Sequence, residues 1–307
     1  MIKNLQTVDN EFLSDHMIGG NAVFPTVCAI AWMAEAAESV FSGYKYHGVE
    51  NYKLFKGVVF NGTEAADYQI DVSLFEDNIG DEKIGDPDYL RLESKVSSVN
   101  ARGKAIFHYG GELILKRSSK KALLQVSDLV VSYDTDTTEI DKGIKEASLL
   151  YSNGTLFHGE SLQGIKEIIR CDNEGLLLAC LVPDIAVSKQ GDFPLSSHNV
   201  FANDLVYQAM LVWVRKQLSM GSLPSSTKSW TTYRQVQVNE LFYLQLHVVE
   251  KSASKLIADI SLINDDNKIL AEIKSAEVTV SANLNNVFKV RSNDQEPTIS
   301  TSKTVGL

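Results

Sequence analysis

The chain has 307 residues, 44% hydrophobic and 22% charged, proportions ordinary for a globular protein that exclude wholesale disorder. Lys and Arg number 29 against 39 Asp and Glu, a net charge of −10. Nucleic-acid binding leans on cations that neutralise phosphates, and the nearest approach to a basic run, Lys116-Arg117-Ser118-Ser119-Lys120-Lys121, reads as a solvated strand end or linker. No nucleic-acid partner is therefore expected.

Cys28, Cys171 and Cys180 form neither a Cys-x-x-Cys pair nor an even disulfide framework. Met1-Ile2-Lys3-Asn4 opens no apolar signal core. The longest apolar stretch, Val27 to Ala34, falls far short of the roughly 20 residues that span a bilayer. These features predict a reduced, cytoplasmic chain that is not inserted in a membrane.

The first strong element is a helix over Pro25 to Phe41. Val27, Ile30, Ala31, Trp32, Met33, Ala36, Ala37 and Val40 cover most of its circumference, leaving Glu35 and Glu38 as a narrow polar stripe. A helix apolar on most sides is a buried one, and a proline suits its first turn because the missing N–H is unpaired there anyway. Strand-like stretches follow at Tyr46 to Phe60, Tyr68 to Leu74, Tyr89 to Glu93 and Ala105 to Leu115. Ser118 to Glu146 is polar and poorly periodic and reads as a linker.

The plan then repeats. A second helix over Asn199 to Leu218, apolar on most sides, precedes strand candidates at Trp230 to Val238, Leu241 to Val249, Leu256 to Ile263 and Ile269 to Val280. A buried helix followed by antiparallel strands, twice, predicts an α+β fold in duplicate. The expected division is residues 1–125, a linker at 126–146, residues 147–285, and a flexible tail at 286–307.

Three motifs stand around these helices. His16, Gly20 and Pro25 form His-x-x-x-Gly-x-x-x-x-Pro just before the first. Asp204 and Gln208 form Asp-x-x-x-Gln on the second. Between them runs Leu156-Phe157-His158-Gly159-Glu160-Ser161-Leu162-Gln163-Gly164-Ile165.

Taken together these motifs resemble the dehydratase domain of polyketide synthases, a double hotdog fold, and most closely the polyketide-type dehydratase of bacterial polyunsaturated fatty acid synthases. The likeness covers roughly residues 10 to 282, in the family's order. It implies a 3-hydroxyacyl-[acyl-carrier-protein] dehydratase that eliminates water from a 3-hydroxyacyl thioester to give a trans-2-enoyl thioester. The family does this without a cofactor, on a substrate carried by the phosphopantetheine of an acyl carrier protein. The partners implied are that carrier and other synthase domains, potentially in the same polypeptide; a further pairing into a homodimer stays open.

Such an elimination needs a base for the α-proton and an acid for the departing hydroxyl. A neutral imidazole suits the first task, and a carboxyl kept protonated by burial suits the second. By resemblance His16 is the base and Asp204 the acid. Asp204 fits from its surroundings too, among Val200, Phe201, Leu205 and Val206, with no Lys or Arg within six residues. Gln208, one turn on, shares its face and can orient the carboxyl. The Gly20 N–H would polarise the thioester carbonyl, aided by the positive end of the helix beginning near Pro25.

Each residue also has a plainer reading, His16 as a cap or surface residue and Asp204 as a first-turn residue facing solvent. The middle motif departs from the family, which carries Tyr-Gly-x-x-Phe where this chain has His158-Gly159-Glu160-Ser161-Leu162. His158 either donates a hydrogen bond to substrate in place of that tyrosine or packs beside Phe157; with Gly159 it is a candidate substrate-binding residue. His16 stands close to the N-terminus, so a shortened edge strand is expected.

His47, His108, His198 and His247 fall into no metal spacing, and no phosphate loop or nucleophile elbow is present, so no metal or nucleotide is implied. Rival readings are an enoyl isomerase or product-template-like cyclase on the same fold, and a non-catalytic acyl-binding scaffold.

Overall fold

The computed structural model describes residues 1–75, 88–118 and 137–288. Two helices organise it. Helix α1, Thr26–Val40, is buried along most of its length, from Thr26 to Ala34 and again at Ala36 and Ala37. Pro25 caps it from an extended conformation, one residue before the helix rather than within its first turn. The second long helix, Val200–Leu218, becomes α3 once a shorter α2, Thr137–Leu149, is counted. Its cap Asn199 accepts the Ala202 N–H at 3.0 Å and donates to the Val236 carbonyl at 2.9 Å, so one buried amide starts the helix and pins the loop beside it.

Among the described residues eleven strands form one sheet. In the first half these are β1 (Ile2–Asn4), β4 (Tyr44–Leu54), β6 (Asp67–Leu74), β7 (Tyr89–Val99) and β8 (Ala105–Arg117). In the second half they are β9 (Ile165–Cys171), β10 (Gly175–Leu181), β11 (Gly221–Thr232), β12 (Leu241–Lys251), β13 (Lys255–Asn264) and β14 (Ile269–Ser281). Their order is β1-β6-β7-β8-β4-β11-β14-β13-β12-β10-β9, all pairs antiparallel. The halves join where β4 meets β11, with Val49 opposite Trp230 and Tyr52 opposite Thr227. Helix α1 packs on strands of the first half, α3 on strands of the second, and the two helices touch. This is the double hotdog arrangement. A small second sheet, β2 (Met17–Ile18), β3 (Asn21–Val23) and β5 (Val59–Phe60), stands beside α1 and carries part of the His-x-x-x-Gly-x-x-x-x-Pro segment.

Several elements differ from the sequence reading. The strand expected at Trp230 to Val238 is Gly221–Thr232 instead. Its Ser-rich first half has no apolar alternation, yet it is the central strand, hydrogen-bonded on both sides by β4 and β14. Strands β9 and β10 were not anticipated; β10 is buried along nearly its whole length and so shows no period-two pattern. Helix α2 occupies the end of the stretch read as linker and packs on β9, where a Cβ on Gly143 would lie 2.5 Å from the Ile168 carbonyl oxygen. Residues 126–136 of that linker lie outside the described residues. A short helix, α4, Leu284–Val287, runs across the expected boundary into the first two residues of the tail, and Phe288 is buried; residues 289–307 lie outside the described residues.

Candidate active site

His16 follows a 3-10 turn, Glu11–Asp15, and its backbone is fixed twice: its N–H donates to the Leu13 carbonyl and its carbonyl accepts the Val23 N–H at 2.9 Å. Gly19 and Gly20, with φ of 62° and 79°, make the two-residue turn between β2 and β3 that brings Val23 back beside His16. Positive φ at both positions is what this tight hairpin requires. The return lets His16 Nδ1 reach the Val23 carbonyl oxygen at 2.7 Å. A carbonyl only accepts, so Nδ1 carries the hydrogen and Nε2 keeps its lone pair.

Asp204 lies in the first turn-and-a-half of α3 and is buried rather than facing solvent. Its Oδ2 accepts from Gln208 Nε2 at 2.9 Å. The same amide nitrogen donates to the Leu162 carbonyl at 2.9 Å, and Gln208 Oε1 accepts from the Tyr151 hydroxyl at 2.9 Å. Tyr151 in turn accepts the Ile165 N–H at 3.2 Å, so its own hydrogen is free to point at Gln208. Every polar group of the Gln208 amide is used, which settles its orientation.

His158 places Nε2 3.4 Å from the same Asp204 Oδ2. Its ring stacks on Phe157 with centroids 4.0 Å apart and meets His16 edge-on at 5.3 Å. Its Nδ1 is buried and, among the described residues, has no hydrogen-bond partner. With the Gln208 amide donating to Oδ2, Oδ1 is the oxygen left to carry the proton of a neutral Asp204.

Burial sets the protonation states. It lowers His16 below the usual imidazole value, with Asp204 pulling the other way. It raises Asp204 above the usual carboxyl value, opposed by His16 and by the Gln208 hydrogen bond. His158 is lowered strongly, by burial and then by the charge of His16. Burial thus favours the neutral form of each of the three groups.

These groups open onto a cavity of about 250 Å³. His16, His158 and Asp204 stand on its wall with Phe157, Tyr207 and Leu211, and the rest of the lining is mainly apolar. Thr26, the first residue of α1, lines it as well, which brings the positive end of that helix to the wall. The buried Ser222 hydroxyl also lines it and has no partner among the described residues.

Two expected contacts are placed elsewhere. Gly20 is not among the lining residues; its place in the hairpin turn lets it act on His16 through the backbone. Gly159 is likewise off the wall. Its N–H donates to the Asp15 carbonyl at 2.7 Å, and an added Cβ would sit 2.0 Å from Asp15 Oδ1. Asp15 Oδ2 accepts the Ser161 N–H at 2.9 Å, so the residue before His16 clamps the residues after His158. Sequence reasoning missed Asp15, Tyr151 and Ser222, since a clamp, a relay and an orphan hydroxyl leave no periodic or motif signal.

It also found no metal spacing, yet one donor atom from each of His16, His158 and Asp204 lies within 4.8 Å of the others. Three residues distant in sequence converge, which spacing rules do not detect. The set would suit a cation with nitrogen and oxygen ligands, but a ligating carboxylate must be ionised. Burial here favours the protonated carboxyl, and Oδ2 is already engaged by Gln208, so the donor set fits proton transfer better than metal binding.

Two family profiles match the chain, one described as the polyketide synthase dehydratase N-terminal domain over residues 136–286, the other as the polyketide synthase dehydratase domain over residues 2–82. The chain belongs to the polyketide synthase dehydratase family. Dehydratases of this family are hydro-lyases that act on 3-hydroxyacyl thioesters. A large polyunsaturated fatty acid synthase polypeptide from Thraustochytrium sp. is 27% identical over 246 residues, 80% of this chain but 8% of that protein. The chain therefore spans a small part of that relative's length.

Among solved structures, the dehydratase domain of the CurF module of curacin polyketide synthase superposes with a TM-score of 0.68 at 18% identity, covering 91% and 92% of the two chains. The dehydratase domain of RzxB from Pseudomonas fluorescens gives 0.66 at 10% identity, covering 90% and 92%. At these identities the likeness establishes the double hotdog fold of a dehydratase-family chain. No helix among the described residues is long and apolar enough to cross a membrane.

Proposed function

We propose that this domain dehydrates 3-hydroxyacyl chains held as phosphopantetheine thioesters, with His16 as the base and Asp204 as the acid. The observation that carries the reading is the pair itself: a ring nitrogen of His16 and a carboxyl oxygen of Asp204, from opposite halves of the fold, within 4.8 Å on the wall of a mainly apolar cavity. Solved CurK dehydratases described as inactive mutants, one altered at a histidine and one at an aspartate, are in keeping with it.

The step balances within the pair. His16 Nε2 takes a hydrogen from the carbon next to the thioester carbonyl. Those electrons form the carbon–carbon double bond as the β-carbon–oxygen bond breaks, and the Asp204 Oδ1 proton passes to the departing hydroxyl, which leaves as water. The products on the protein are an imidazolium and a carboxylate, which stabilise each other at this separation until the proton returns.

His158 holds the β-hydroxyl. Its Nδ1 is buried without a partner beside Asp204, so with the ring hydrogen on Nε2 a substrate hydroxyl that accepts from Asp204 Oδ1 can donate to it. Of the two roles weighed for His158, this reading replaces donor with acceptor, while the other, packing beside Phe157, agrees with the stacked rings 4.0 Å apart.

The partners proposed are an acyl carrier protein and neighbouring synthase domains, and no further cofactor takes part. Incubation of the domain with 3-hydroxyacyl-pantetheine thioesters tests the reading. Loss of one water with formation of the trans-2-enoyl product supports it. A 3-enoyl or cis product would point to an isomerase, a cyclised product to a cyclase, and no turnover, on carrier-bound substrate as well, to a scaffold.

A further inference from the structure

A second cavity, about 410 Å³, adjoins the catalytic one. Gly57 and Val59 line both, so the β4–β5 segment is a shared wall. Its other side is the β7–β8 turn at Asn100 and Ala101. His108 ties the two sides together: Nδ1–H donates to the Lys56 carbonyl at 2.9 Å, leaving Nε2 to accept the Ser98 hydroxyl at 2.8 Å. The lining mixes backbone with small polar side chains such as Asn61, Thr63 and Ser98, unlike the apolar catalytic cavity.

The surface around this groove departs from the charge of the whole. Lys53 and Lys56 flank it on one side, Arg102 and Lys104 on the other, and no acidic residue falls within either short segment of a chain whose net charge is −10. All four are exposed, and among the described residues none is paired with a carboxylate. Glu64 is the acid among the groove's lining residues, and its carboxylate is turned to the Asn61 and Gly62 N–H groups. Phe55, just past the end of β4, and Phe107, on the neighbouring β8, stand 58% and 54% exposed beside the cations. The order along the chain is telling: Leu54 and Gly57 face the catalytic cavity while Phe55 and Lys56, between them, face outward.

We infer that this groove receives the phosphopantetheine arm and that the cations and two phenylalanines around it dock the acidic face of an acyl carrier domain. The inference rests on the proposed dehydratase reading for the identity of the arm. The fit is chemical. A pantetheine arm bears amides for the polar groove, ends in a phosphate for Lys56 and its neighbours, and must deliver its thioester past the Gly57 wall. An acidic partner is attracted by these four cations on a chain whose net charge is −10.

Titration of an acyl carrier domain from a polyunsaturated fatty acid synthase, with and without its phosphopantetheine, tests this at low and moderate salt. Lys56→Glu combined with Arg102→Glu and Lys104→Glu is expected to weaken binding by about tenfold or more, with a shallower salt dependence. Lys251→Glu with Lys255→Glu, in the other half, should leave binding unchanged, and the carrier lacking the arm should bind more weakly than the complete one. Turnover of a free pantetheine thioester should survive Arg102→Glu with Lys104→Glu, which lie outside the groove lining.

Equal binding by wild type and triple variant, no binding by wild type, or equal loss of free and carrier-bound turnover would overturn the docking site. So would a self-association abolished by the triple variant with carrier binding untouched, which would give the surface to a second copy of the chain. Carrier binding at this surface without turnover of any thioester would leave docking standing and remove the dehydratase reading.

Discussion

Gln208 donates to Asp204 Oδ2 at 2.9 Å while the Tyr151 hydroxyl holds the other end of its amide, also at 2.9 Å. The acid is thus aimed by a residue that is itself aimed. Gln208→Ala should leave Asp204 present but free to rotate. One buried hydrogen bond of about 1–2 kcal/mol corresponds to roughly a tenfold fall in kcat. Tyr151→Phe should give a smaller fall of the same kind. Because neither residue lines the cavity, KM should move little; a rise in KM at unchanged kcat would assign them to substrate binding instead.

Activity should depend on pH in a bell. His16 is lowered from 6.5 by burial and must be neutral, so the rate falls on the acid side as the ring gains a proton. Asp204 is raised from 3.8 by burial and must be protonated, so the rate falls on the alkaline side as it ionises. The limbs belong to the coupled pair and not to either residue alone. A kcat/KM profile flat across both limbs would remove the acid–base assignment.

The same shift has a cost in stability. A carboxyl raised in the folded state binds more protons there than in the unfolded chain, so stability declines as pH rises from about 3.9 towards the folded value. Asp204→Asn removes that decline. The variant should unfold at a higher temperature than wild type at neutral pH, and the difference should shrink as pH is lowered towards 4.

Much of this was legible in the sequence and some was not, for physical reasons. The helices α1 and α3 declared themselves because burial on most sides needs apolar residues on most sides. His16, Asp204 and Gln208 are held by local geometry, a hairpin return and one helical turn, which fixed spacings record. Strand β11 was misplaced because the neighbours on both sides supply its stability, so its own Ser-rich half carries no pattern. Gly20 and Gly159 do not line the cavity, for another reason. A glycine spacing reports that backbone conformation or close approach matters, not which face of that backbone meets substrate.

Gly159 makes that concrete. A Cβ there would stand 2.0 Å from Asp15 Oδ1 and displace the clamp that sets His158 beside His16. Gly159→Ala should destabilise the fold by about 1–3 kcal/mol, the usual cost of overpacking, and lower kcat as well. Thermal unfolding and steady-state rates together check it; wild-type values in both would mean that the clamp gives way without consequence.

Proton transfer and metal ligation compete for the same three side chains. Exhaustive dialysis against a chelator should leave the rate unchanged, whereas excess zinc should inhibit by recruiting His16, His158 and Asp204. Loss of activity on chelation, restored by a metal ion, would reverse the assignment of the site.

The central claim is that His16 and Asp204 act as one acid–base unit, and hydration run in reverse examines it most directly. Loss of the conjugated-thioester absorbance of a trans-2-enoyl pantetheine thioester would be followed for wild type, His16→Ala, Asp204→Asn and the double variant. Residues acting as a unit are expected to be strongly non-additive, so each single variant should lose about 10² or more of the rate and the double variant little further. Substantial hydration by either single variant, or losses that simply multiply in the double, would contradict the account.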